Sequence, residues 1–150
     1  MLSGSKILLA VTGGIAAYKS ALIVRLLQKE GAEVKVVMTP AAKDFVTPLT
    51  LAALSGHEVY TELIQENKGA FKWNNHVHLS DWADILLVAP ATANTLTKMA
   101  QGLCDNIVTA CFLSFRGDTF VAPAMDLEMY QHQTTQENFK TSICSLFSKT

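Results

Sequence analysis

Long hydrophobic runs are missing from this sequence. Apolar residues make up 49% of its 150 positions, yet they fall in short stretches, whereas a bilayer-spanning helix needs roughly twenty in succession. Charge of one sign is missing too. Twelve Lys and Arg stand against thirteen Asp and Glu, which leaves no basic field for nucleic acid and makes polyanionic polymers unexpected partners. Cysteine is scarce, with Cys104, Cys111 and Cys144 an odd set lacking any C-x-x-C spacing. Neither a disulfide framework nor a zinc knuckle is supported, and a reducing cytoplasm is the simplest setting. Each cysteine reads as a small buried hydrophobe. Residues 1–6 carry no charged segment ahead of a long apolar stretch, so no secretory signal is expected. The chain suits one domain, able to bury roughly two thirds of its unfolded surface without cross-links. No internal repeat, linker or low-complexity segment divides it.

What is present alternates. Strand-like runs fall at 6–11, 33–38, 85–89 and 119–122, the central ones apolar throughout, as strands covered on both faces are. Helical stretches fall at 15–30, 48–54, 94–101 and 106–113. In the first, Ile15, Tyr18, Leu22 and Leu26 form one apolar face, with Lys19, Arg25 and Lys29 left for solvent. Strand alternating with helix predicts an α/β fold with a doubly wound parallel sheet in three layers. Residues 64–75, IQENKGAFKWNN, read as a long edge loop. Ligands of such sheets sit outside the carboxyl ends of the strands. Four segments should meet there: 12–15, 39–45, 90–95 and 123–126.

The first of them holds a glycine pair between strand and helix, where backbone N–H groups can approach a phosphate. The dinucleotide fingerprint wants G-x-G-x-x-G and an acidic residue ending the second strand; the sequence offers Gly13-Gly14-Ile15-Ala16-Ala17 and Met38-Thr39-Pro40. A phosphate-loop NTPase wants G-x-x-x-x-G-K-[ST], and Tyr18 occupies the place of the glycine before Lys19. ILLVAPA supplies no Asp for magnesium. Both readings are disfavoured. A smaller site for a monophosphate, or a tight turn with no ligand, remains. APATANT then places Thr92, Asn94 and Thr95 at a helix start, as caps or as partners for the polar edge of a flat heterocycle, with Phe45 as an apolar wall. His76 and His78, read on an extended segment, would share a face; with no further ligand at a recognisable spacing, metal is not expected. His57 and His132 read as structural, Trp73 and Trp82 as packing residues, and Met125 with Met129 as mainly core.

The segments TGGIAAYKS, NNHVHLSDWAD, APATANTLTKMAQGLCDN and APAMDLEMY, in this order and spacing over residues 6–138, resemble the flavin-dependent cysteine decarboxylase family. Within it they are most similar to the members that decarboxylate 4'-phosphopantothenoylcysteine to 4'-phosphopantetheine in coenzyme A biosynthesis. The resemblance implies a flavodoxin-like fold, FMN as cofactor, and a homotrimer or higher homo-oligomer with the flavin near a subunit interface. Carried over, the FMN contacts are Gly13, Gly14, Ile15, Thr39, Phe45, Thr92, Ala93, Asn94, Thr95 and Ala124. His76, in the pattern N-x-H-[IV]-x-L, would be catalytic. Met125 and Asp126, in the pattern P-x-M-N, would meet substrate. The chemistry implied is oxidation of the cysteinyl thiol to a thioaldehyde, which makes loss of CO2 to an enethiolate feasible, followed by reduction.

Two features depart from the family. Asp126 stands where it has asparagine, and the family's Gly-rich C-terminal flap with its reactive cysteine has no counterpart within residues 1–150. Cys144, in KTSICSLFSKT, has no glycines around it and does not take that role. One FMN-binding domain over residues 1–150, turning over slowly, is the expectation. A flavin prenyltransferase-like protein and a non-catalytic FMN-binding flavoprotein are the alternatives.

Overall fold

The computed structural model describes residues 2–147 apart from 68, without the side chains of 66, 67 and 143–147, so the Cys144 thiol lies outside the described residues. Its centre is a parallel sheet of five strands, β1 (Lys6–Val11), β2 (Glu33–Met38), β3 (Val59–Tyr60), β6 (Ile85–Ala91) and β7 (Asp118–Pro123), in the order β3-β2-β1-β6-β7. A separate antiparallel pair, β4 (Ile64–Asn67) and β5 (Ala70–Trp73), projects from the chain between β3 and β6. The sheet is doubly wound, and its winding reverses between β1 and β6.

Strand alternation divides the core. Ile7, Leu9 and Val11 of β1 pack with Val34, Val36 and Met38 on one face, against Val24 of α1 (Ser20–Lys29) and Leu51 of α2 (Pro48–Ser55). Leu8 and Ala10 point the other way with Leu86 and Val88. They meet Leu79 of α3 (His76–Trp82), Leu96 and Met99 of α4 (Ala93–Gln101), and Ile107, Val108, Cys111 and Phe112 of α5 (Ile107–Ser114). Two short-period faces, each covered by helices, are why β1 reads as uninterrupted hydrophobicity. Two further helices, α6 (Leu127–Gln131) and α7 (Gln133–Phe147), follow β7, and α7 lies along α4. Among the described residues, no helix is long and apolar enough to cross a membrane.

Several expectations are corrected here. The stripe Ile15, Tyr18, Leu22 and Leu26 is not the core face, since these residues are 79%, 61%, 59% and 52% exposed. A 3-10 turn, Ile15–Lys19, precedes α1, and the inward residues are the small Ala17, Ser20 and Val24. The helix has two apolar stripes, and the sheet covers only one. Residues 64–75 contain the β4–β5 hairpin, turned at Gly69 with φ +81°, where L side chains are strained. His76 and His78 lie on a helix, not an extended segment. Asn75 caps it, its Oδ1 accepting from the N–H groups of Val77 and His78 at 3.0 and 3.2 Å. Two residues apart on a helix means roughly 200° apart, so the histidines do not share a face. Cys104 is exposed, and Cys111 is buried. Trp73 is exposed, and Met129 is 48% exposed. His57 lies 3.3 Å from Glu33.

Candidate functional site

At the carboxyl edge of the sheet, β1, β2, β6 and β7 each release a segment beside the reversal point, and the four enclose a cavity of about 740 Å³. The first segment contributes Gly13, Gly14 and Ile15; the second, Thr39; the third, Thr92, Ala93, Asn94 and Thr95; the fourth, Ala124, Met125 and Asp126. Each is a sequence-derived candidate, and one cavity gathers them all. Phe45 is not in its wall. The 3-10 turn Pro40–Asp44 carries the chain past the cavity, so Pro40 and Ala41 line it while Phe45 stands 44% exposed. His76 is also outside the lining.

Local chemistry decides which groups remain available. Thr92 caps α4, its Oγ1 accepting from Thr95 N–H at 3.3 Å, and the two hydroxyls lie 3.3 Å apart. These threonines are therefore partly committed to the helix start. Asn94, also in the cavity wall, is exposed. Thr39 differs: the residue is only 7% exposed, yet its Oγ1 has no hydrogen-bond partner. A buried hydroxyl left unpaired on a cavity wall is costly unless something fills the gap. Gly13 packs so closely on the second segment that a Cβ there would sit 2.6 Å from Ala41 Cβ. Gly14 has room, a Cβ meeting only Thr92 Cγ2 at 3.4 Å.

The structure adds residues that the sequence reading did not single out for the site, among them Tyr18, Lys19, Lys98, Asn106 and Met129. Lys98 Nζ donates to Asp105 Oδ2 at 2.7 Å, and Asn106 Nδ2 donates to Asp105 Oδ1 at 2.9 Å. The hydrogen bond from Lys98 holds the Asp105 carboxyl below its usual range. Lys98 follows Asn94 by one helical turn, the sequence signal that could have placed it beside the other α4 residues. Lys98 is thus committed to Asp105, and Lys19 with the helix starts near the glycine turn makes that end of the cavity favourable for an anion.

His76 opens α3, with its ring 6.2 Å from that of Trp73 and its Nδ1 buried and unpartnered. Asn74, 2% exposed, fixes the approach to it: Nδ2 donates to the Glu62 carbonyl at 2.6 Å, and its N–H donates to the Leu63 carbonyl at 2.9 Å. Beneath lies Cys111, whose thiol contacts the His76 carbonyl at 3.9 Å and is pushed up to about 12 by burial. It stays a protonated core residue. Among the described residues, no group of three or more His, Cys, Asp or Glu could hold a metal.

Comparison with known proteins agrees with this geometry. The coenzyme A biosynthesis bifunctional protein CoaBC of Vibrio vulnificus is 46% identical over 140 residues, which is 93% of this chain and 34% of that protein. The chain thus spans about a third of the length of the curated relatives it matches. The crystal structure of the FMN-dependent cysteine decarboxylase SpaF superposes with a TM-score of 0.86 at 31% identity, over 97% of this chain and 82% of that one. A PPC decarboxylase variant complexed with pantothenoylaminoethenethiol gives 0.79 at 33% identity, over 95% and 79% of the respective chains. The Flavoprotein family matches residues 1–142. With the doubly wound fold, the four-segment cavity and a match over nearly the whole sequence in agreement, the chain belongs to the Flavoprotein family.

Proposed function

We propose that residues 1–150 form one FMN-binding domain that decarboxylates 4'-phosphopantothenoylcysteine to 4'-phosphopantetheine, a cytoplasmic step of coenzyme A biosynthesis. The observation that carries the reading is the cavity itself, whose wall combines the glycine turn, the start of α4 and the unpaired Thr39 hydroxyl. Those groups fit a phosphate: N–H donors at helix starts, a hydroxyl lacking a partner, and Lys19 nearby. Gly13, Gly14, Ile15 and Thr39 would hold the phosphate end, with Thr92, Ala93, Asn94, Thr95 and Ala124 along the remainder. Bound FMN supplies a reversible hydride acceptor, which brings the substrate carboxylate beta to a C=S bond and lets CO2 leave without an unstabilised carbanion.

The chain's own residues bind, orient and move protons. His76 takes the thiol proton, and Met125 and Asp126 lie where the cysteinyl end of the substrate would rest. His76 is outside the wall of its own cavity, which supports a homo-oligomer in which a second copy would bring it to the reacting thiol. Exposed apolar side chains suit such a homo-oligomer: Ile15 and Tyr18 at the cavity lip, Leu22 and Leu26 along α1, Leu127 and Met129 on α6.

Colour tests the cofactor and turnover tests the reaction. Purified protein should be yellow and release FMN, not FAD, on denaturation, and anaerobic addition of substrate should evolve CO2. A colourless protein that binds no added FMN overturns the reading. The two glycines separate packing from ligand approach. Gly13→Ala forces its methyl into Ala41 and should destabilise the fold by about 1–3 kcal/mol. Gly14→Ala, with ordinary contacts and an extended φ of −161°, should melt like the unmodified chain yet bind FMN more weakly. Thermal unfolding and FMN titration of both variants check this. Unchanged FMN affinity in Gly14→Ala would remove that glycine from the site.

A further inference from the structure

The β1–β6 ladder stops at the pair Ala10–Val88, although both chains continue toward the cavity. One reason is chemical. The next residues of β6 include Pro90, which has no N–H to donate, and the register between β6 and β7 also shifts between Val88 and Ala91. Beyond Val88 the third cavity segment therefore lacks its regular ladder to β1.

Thr12 fills that gap with its side chain. The residue is completely buried; its Oγ1 donates to the Pro90 carbonyl at 2.5 Å and accepts from the Thr92 N–H at 3.1 Å. One hydroxyl thus takes both backbone groups that the interrupted ladder would have left exposed to the core. On the other side of the same segment, the Ala91 carbonyl accepts from Ala124 N–H at 3.0 Å. Thr12 is followed directly by the glycine turn, while Thr92 opens the run that caps α4.

We propose that Thr12 is a positioning residue for the anion end of the cavity: its hydroxyl sets the separation between the glycine turn and the start of α4, so that both present their N–H groups to one phosphate. This rests on the reading of the cavity as an FMN site. Thr12 itself touches no ligand and lies outside the cavity lining. A hydroxyl is required because a single atom must both donate and accept, which neither an aliphatic side chain nor an ammonium group does. Valine, of the same shape, leaves the Pro90 carbonyl and the Thr92 N–H without their partner and lets the two turns separate.

The test is FMN titration of apo-protein by flavin fluorescence, alongside thermal unfolding, for the unmodified chain, Thr12→Val, Thr12→Ser and Val34→Ala. Val34 is fully buried in the first half of β2, paired with Ile7 and away from the carboxyl edge, so its truncation reports lost stability alone. Thr12→Val should weaken FMN binding about tenfold to a hundredfold. Thr12→Ser should recover most of that loss, and Val34→Ala should melt lower with FMN affinity unchanged. If the valine chain does not fold, Thr12→Ala takes its place with the same expectation. Unchanged affinity in Thr12→Val or Thr12→Ala overturns the proposal, as does a serine variant as weak as valine, or an equal loss in Val34→Ala. An unmodified chain that binds no FMN overturns the cofactor reading instead.

Discussion

Replacing His76 by asparagine is expected to leave FMN bound and to lower kcat/KM by about a hundredfold to ten-thousandfold, the range for removing a positioned general acid or base. The imidazole is not part of the cavity wall, so the affinity for the proposed cofactor should not change. Its Nδ1 has no partner to lose, and the Trp73 ring is its only described ring contact. Thermal unfolding should therefore move little. Anaerobic mixing with substrate, followed at the flavin absorbance, reads the step directly: the unmodified chain bleaches and His76→Asn does not. Mixed oligomers add a second readout. In the proposed homo-oligomer, chains carrying His76→Asn assembled with chains carrying Gly14→Ala should regain activity at FMN concentrations too low to load the Gly14→Ala cavity, because one copy would supply the histidine and the other a loaded cavity. Unchanged bleaching in His76→Asn would return the residue to a structural role, and failure of the mixture would place both groups in one chain's site.

Asp126→Asn should lower KM for the carboxylate substrate by about tenfold to a hundredfold, with kcat equal or higher. Asp126 lines the cavity, is exposed, and stands at the N-cap of α6 without a side-chain cap hydrogen bond. The fold gains little from it, and asparagine serves equally well at a helix start. Two carboxylates about 4 Å apart repel by about 4 kcal/mol at an effective dielectric near 20, a figure that solvent at this exposed position reduces. An ionised carboxylate also has no proton to donate, whereas the asparagine amide donates two. Steady-state kinetics of both chains, with thermal unfolding as control, decide the matter. A KM that is unchanged or raised would mean that Asp126 faces another part of the substrate.

Much of the architecture was legible in the sequence because its signals are local. The runs at 6–11 and 33–38 match β1 and β2 residue for residue, since parallel strands covered on both faces must be apolar without interruption. β6 extends two residues beyond its run, to Ala91, and β7 begins one earlier and ends one later than expected. The hairpin was not legible: Ile64, Phe71 and Trp73 are all more than half exposed, so no buried face imposes the alternation that marks a strand. Helix α3 was hidden in the same way. Its seven residues are too few for a periodic pattern, and its start depends on the Asn75 cap.

The sequence by itself determined which segments reach the carboxyl edge, because alternating strand and helix allow few other windings, and it marked Gly13, Thr39, Thr92 and Asp126 as residues of those segments. Tertiary structure alone decided three things. Phe45 and His76 fall outside the cavity, because the 3-10 turn after β2 and the direction of α3 are fixed by packing. The stripe Ile15, Tyr18, Leu22 and Leu26 faces outward, because the small residues Ala17 and Ser20 let the other side of the helix close on the sheet. Thr12 holds two turns together because Pro90 interrupts a ladder between residues 78 positions apart. A periodicity reports that a face is apolar, and a motif reports which groups are present; what covers that face, and which groups meet, depends on contacts between parts of the chain too distant in sequence for any local pattern to encode.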